Sequence, residues 1–202
     1  MPFDPSKIPV RLIDAVRKRN VVPLIGAGFS KQAGDAFPNW RQLMSLLNER
    51  ALAIGRISKK QSKEIKGLLD RGQFLMAGEA LRTDLPSDVF QTVLEEQFNP
   101  KWAKPTLVHR ALFRLRPPMI LTTNYDALLE DAYAVEYQKS AAVLTSRNVT
   151  EVQLALLSDR LPDYPIIFKI HGSIRDYDTI ILSERDYRDL LYRNPGDRKS
   201  VV

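Results

Sequence analysis

The chain has 202 residues, enough for one domain or one domain with an insertion. Hydrophobic residues make up 44% and charged residues 27%, a globular balance, and no stretch approaches the roughly 20 apolar residues that a membrane-spanning helix needs. There is no cysteine, which excludes disulfides, Cys-based zinc sites and thiol nucleophiles; the net charge of +6 is spread along the chain and reads as solvated helix faces, so nucleic acid is not the expected partner.

Met1-Pro2-Phe3-Asp4-Pro5 lacks a basic start followed by an apolar core, so no signal peptide is read and a cytoplasmic protein is expected. Residues 6–19 carry Ile8, Leu12, Ile13 and Val16 at helical spacing and end in Arg17-Lys18-Arg19, as suits a helix C-terminus. Val21–Ile25 is a short apolar run read as a strand, with Pro23 as a blemish because it donates no ladder hydrogen bond. Residues 39–98 read as four helices with no strand between them, with Asn39, Ser58 and Ser87 at starts. A simple strand–helix–strand crossover needs fewer, so this block is expected to be a helical insertion packed over the site. A helix over 106–115, a strand over 119–121, a helix over 126–135, a strand over 141–144 and a helix near 149–157 follow. Pro162 and Pro165 bracket a turn before the strand Ile166–Ile170. Thr179–Leu182 reads as a further short strand, and Ser183 caps a last helix with Asp186 in the third helical position, closed by Asn194-Pro195-Gly196. The alternation predicts an α/β fold with a mostly parallel sheet.

Three segments each sit directly after an apolar run: Gly26-Ala27-Gly28-Phe29-Ser30, Thr123-Asn124-Tyr125-Asp126 and His171-Gly172-Ser173. In open parallel sheets the carboxyl ends of the strands form the ligand-binding edge. Glycines after a strand let backbone amides approach a phosphate, and Ser30 offers a hydroxyl; a tight turn needing small residues is an equal reading. The segment is neither the full G-x-G-x-x-G fingerprint nor a Walker A loop. Asn124 is suited to orienting a water or a ribose hydroxyl, or to bonding its own loop backbone. Asp126 is suited to capping the next helix or to contacting ligand. His171 beside Gly172 has the residue type of a general base. His109, inside a predicted helix, reads as structural, and Trp40 as a packing anchor at a helix start.

G-A-G-F-S, T-T-N-Y-D and K-I-H-G-S, in this order and at these distances, resemble the sirtuin-like NAD-binding domain, and within it the bacterial branch found in anti-phage defence proteins. The resemblance runs from about residue 15 to 195. It implies a Rossmann-like sheet that binds NAD, a helical module beside it and, in that branch, NAD glycohydrolysis to nicotinamide and ADP-ribose. Carried over by motif, His171 would be the general base and Asn124 would orient ribose or water. Gly26, Ala27, Gly28 and Ser30 would line the phosphates, with Thr123, Gly172 and Ser173 beside them. Phe29 would sit near the nicotinamide, and Asp126 would contact nicotinamide or brace its loop. The four-Cys zinc module of the classical deacylases is absent, so no zinc is expected and protein deacylation is disfavoured. The resemblance also implies a further strand and a Gly/Ser loop for the adenosine side, before which this sequence stops. A catalytically silent nucleotide-binding or assembly module is therefore the alternative. Either reading expects a homo-oligomer or a separate sensor protein.

Overall fold

The computed structural model describes residues 4–35, 37–157 and 164–192. The predicted turn at Pro162 and helix stop at Asn194–Gly196 lie outside them. After a 3-10 turn at Pro5–Lys7, helix α1 runs Val10–Arg17, beginning after Pro9, which stands at its N-cap. Strand β1 is only Leu24–Ile25. The carbonyl of Pro23 accepts from Leu121 N of the neighbouring strand at 2.9 Å, but its ring nitrogen has no hydrogen to return, and the strand starts just after it, three residues into the apolar run Val21–Ile25. The short helix α2 (Ala27–Ser30) follows at once.

Four helices come next: α3 (Trp40–Ala53), α4 (Lys59–Asp70), α5 (Phe74–Asp84) and α6 (Ser87–Phe98). Two of their starts are capping boxes written in the local sequence. Asn39 accepts from Gln42 N and its own N–H bonds the Gln42 side chain, and Ser58 and Gln61 repeat the arrangement. The helices bury Leu43, Leu47, Leu69, Leu81, Phe90 and Leu94 against one another. The same cluster takes in Tyr125, Leu128, Ile174, Ile180 and Leu182 from the sheet side, so the helical block and the loops above the sheet share one core.

Helix α7 (Leu107–Arg114), strand β2 (Met119–Thr122), helix α8 (Leu128–Tyr137), strand β3 (Ala142–Thr145), helix α9 (Val149–Leu157), strand β4 (Ile166–Lys169) and helix α10 (Glu184–Tyr192) complete the order. The sheet is parallel throughout, in the order β1-β2-β4-β3. This is the expected α/β, Rossmann-like architecture, with the helical block between β1 and β2. Ile25, Ile120 and Ile167 pack with Leu112 and Phe113 of α7 and Leu129, Ala132 and Tyr133 of α8, covering one face. On the opposite face Leu24 is 67% exposed.

The register decides where the motifs go. Ile25 pairs with Thr122, Thr122 with Lys169, and Lys169 with Thr145, so the last residues of all four strands form one row. The segments beginning at Gly26, Thr123 and Ile170 therefore leave the sheet side by side.

The predicted strand at Thr179–Leu182 is a correction. Thr179 closes a 3-10 turn (Tyr177–Thr179), and Ile180, Ile181 and Leu182 belong to no ladder. All three side chains are buried, one after another, without the alternation of a half-buried strand. The segment is fixed instead by Ile181 N donating to His171 O at 2.9 Å and Tyr125 OH donating to Ile181 O at 2.8 Å. Helix α5 lies directly on it: a Cβ at Gly78 would stand 2.2 Å from Leu182 O, so only glycine allows that approach.

Candidate functional site

A cavity of about 400 Å³ opens where β1, β2 and β4 end. Ala27, Ser30, Thr123, Asn124, Asp126 and His171 line it from the sheet edge. Phe37, Pro38 and Trp40, leading into α3, line the other side with Phe98 of α6, Tyr125 and Tyr187 of α10. The walls are thus aromatic and the floor is polar, the usual composition of a small-molecule site.

The floor is one hydrogen-bonded chain. Asn124 Nδ2 donates to Gly26 O at 3.0 Å and to Ser30 Oγ at 2.7 Å. Ser30 Oγ donates to Asp126 Oδ2 at 2.6 Å, and Asp126 Oδ1 accepts from Leu128 N at 3.1 Å. Both amide hydrogens of Asn124 are committed, which leaves its Oδ1 to accept from whatever enters. Asn124 is therefore not the loop residue bonding only its own backbone, although its N–H does reach Thr122 Oγ1 at 3.1 Å. Asp126 is buried and braces the loop and the start of α8. Ser30 lines the cavity, but its hydroxyl hydrogen goes to Asp126 rather than to a ligand.

His171 is half-buried. Its Nε2 lies 2.8 Å from Tyr187 OH, its Nδ1 is buried without a partner, and its ring packs 5.6 Å from Trp40. Burial holds the imidazole below its ordinary pKa, so it is neutral near pH 7 and able to accept a proton. Burial raises the Tyr187 phenol, which stays protonated.

Several expected ligand contacts are not placed in the cavity. The Phe29 ring stands edge-on to His109, 4.9 Å away, and packs toward the sheet core. Gly26 gives its carbonyl to Asn124, and Gly28 is exposed within α2. Gly172 has φ +93°, and a Cβ there would stand 2.1 Å from Thr179 O; it serves the turn. Ser173 does likewise, its N–H bonding Thr179 Oγ1 at 3.0 Å and its Oγ accepting from Arg175 N at 3.2 Å. His109 lies in α7, buried, where Nδ1 accepts from Thr106 N at 3.2 Å. Trp40 is more than a packing anchor, since it forms a cavity wall. Phe37, Phe98, Tyr125 and Tyr187 carried no sequence signal as wall residues, because tertiary packing alone brings them there.

Among the described residues no helix is long and apolar enough to cross a membrane, and no group of three or more His, Asp or Glu is gathered as for a metal ion. Residues 118–201 match the model of the SIR2-like domain, a span that contains two of the three motifs. The chain is also 28% identical over 181 residues to NAD(+) hydrolase ThsA of Enterococcus faecium, a match covering 88% of this chain and 33% of that protein. The chain thus spans about a third of that relative's length. The resemblance to the sirtuin-like family stands, and from residue 118 to 201 the sequence is SIR2-like.

Proposed function

We propose that the chain is an NAD+ glycohydrolase, cleaving the nicotinamide–ribose bond to give nicotinamide and ADP-ribose. The observation that carries this reading is the delivery of Asn124 and His171 from adjacent strands to one aromatic-walled cavity. NAD+ is the substrate. In the reaction, water adds to the anomeric carbon while the bond to nicotinamide breaks. The bonding pair goes to the ring nitrogen, which turns from cationic to neutral, so no general acid is needed. The transition state resembles an oxocarbenium ion, as in other glycosyl cleavages.

The residues divide the work. Asn124, with both N–H groups tied down, offers Oδ1 as a fixed acceptor for a water or ribose hydroxyl. The chain through Ser30 ends on the Asp126 carboxylate, which polarises it in one direction. His171, held neutral by burial, accepts the proton released by the water. The aromatic walls exclude solvent water and present flat surfaces to the nicotinamide.

Nicotinamide release from NAD+ tests the reading. His171→Ala and Asn124→Ala are each expected to lower the rate by about a hundredfold or more, with far-UV circular dichroism unchanged. Equal rates in wild type and both variants would sink it. The second reading, a nucleotide-binding module without turnover, is favoured by one contact: Tyr187 OH occupies Nε2 of His171. Binding of NAD+ without release would select it. A role in anti-phage defence, in the cytoplasm and alongside a separate sensor protein or further copies of this chain, belongs to the same proposal.

A further inference from the structure

Lys169 is the last residue of β4 and is 0% exposed. Its ammonium donates to Glu130 Oε1 of α8 at 2.9 Å, to Tyr125 O at 3.1 Å and to Asp126 O. Glu130 is itself only 5% exposed, and its Oε2 has no partner.

Stability does not explain this pair. Taking two charges out of water costs several kcal/mol per ion, and well-packed apolar residues often serve as well or better. The position is also unfavourable in the helix field, because a cation beside the first turn of α8 faces the positive end of its dipole. What the ammonium does accomplish is local. Tyr125 and Asp126 immediately follow Asn124, and their successive carbonyls both turn into the interior beneath the cavity. The register that sets Lys169 beside Thr122 aims a side chain from the neighbouring strand at both. An apolar residue would leave the Asp126 carbonyl without that donor and the Tyr125 carbonyl with Ile174 N alone.

We propose that Lys169 and Glu130 are a positioning pair for the Asn124 loop: the lysine grips the loop from below through two carbonyls, and the glutamate keeps it aimed. The Ser30–Asp126 bond grips the same loop from the cavity side. Asn124 is thereby held between two anchors, one beneath the cavity and one at its floor. The kinetic part of this inference rests on the glycohydrolase reading; the structural part does not.

The test compares the full chain with a double variant, Lys169→Met with Glu130→Leu, which removes both charges together. Amide hydrogen exchange is followed at residues 123–128, beside thermal melting and nicotinamide release. The double variant is expected to melt near the wild type yet exchange about tenfold faster across the loop. Its kcat is expected to fall about a hundredfold while KM for NAD+ changes by no more than about twofold. Wild-type exchange and wild-type kcat in the folded double variant would overturn the proposal. Should that variant not fold, Glu130→Gln carries the test, because it keeps an acceptor oxygen and removes the charge. Faster exchange confined to 123–128 then supports the pair, and a uniform change across the molecule overturns it. If the wild type releases no nicotinamide, the glycohydrolase reading fails while the exchange measurement still decides this one.

Discussion

The helical block and the sheet edge are stabilised in different ways. In α3–α6 the contacts are mostly apolar and numerous, with one buried polar pair between Asn48 and Ser62, and the starts of α3 and α4 are fixed by local boxes at Asn39 and Ser58. At the sheet edge a few polar groups, buried (Ser30, Asp126, Lys169 and Glu130) or half-buried (Asn124), set the geometry, each with specific partners. A core of the first kind tolerates volume-conserving change. A network of the second kind tolerates none, because losing one member leaves another buried and unpaired. Rigidity of the second kind is what a site needs.

The largest effect that sharpens this contrast is Leu47→Ala in α3. That side chain is fully buried, and its truncation is expected to cost about 3 kcal/mol in denaturant unfolding, against less than about 1.5 kcal/mol for Leu47→Met. Activity, normalised to folded protein, is expected to survive both. Ser30→Ala reverses the pattern: about 2 kcal/mol of stability at most, but loss of nicotinamide release, since Asn124 and Asp126 both lose a partner. Full activity in Ser30→Ala would break the comparison. Ser58→Ala removes one capping box and is expected to cost about 1 kcal/mol, read as a lower melting temperature with unchanged kinetics.

Acid probes the edge and its support together. His109 and His171 both have folded-state pKa values depressed by burial. Between the depressed folded value and the ordinary unfolded value, the unfolded chain binds more protons, so stability rises with pH through that window and is lost as pH falls. Melting temperature is expected to drop as pH is lowered from about 7 to about 5, by less in His109→Gln. A flat profile would mean that neither ring is held neutral. The smallest effect belongs to Arg41→Ala. It removes an exposed ion pair with Asp70, 3.3 Å apart, and is expected to change stability by less than about 0.5 kcal/mol.

The parts that the sequence makes legible are those whose cause is local. Asn39 with Gln42, Ser58 with Gln61 and Ser183 with Asp186 each announce a helix start within four residues, and each is observed. The three motifs were legible because glycines, an Asn and a His after apolar runs mark strand ends. The rest depends on register and packing. Lys169 reads as one more basic residue until β4 is laid beside β2. Tyr187 reads as a residue of an amphipathic helix until α10 is placed over His171. Thr179–Leu182 reads as a strand because a buried irregular segment and a buried strand look alike in sequence, and the packing of Phe29, which the resemblance puts near the nicotinamide, depends on α7 bringing His109 against it.

Gly78 bears on how this sequence is free to vary. Glycine inside a helix costs about 1 kcal/mol relative to alanine, so a random walk through sequence space would be expected to replace it. Here any β-carbon meets the Leu182 carbonyl, five residues before the tyrosine that touches His171. A saturation library at position 78 should therefore return one letter, whereas Gly28, with nothing within 4 Å of its missing β-carbon, should return many. The more constrained of the two glycines lies outside all three motifs, in the middle of a helix, where a reader of the sequence would see only an imperfection.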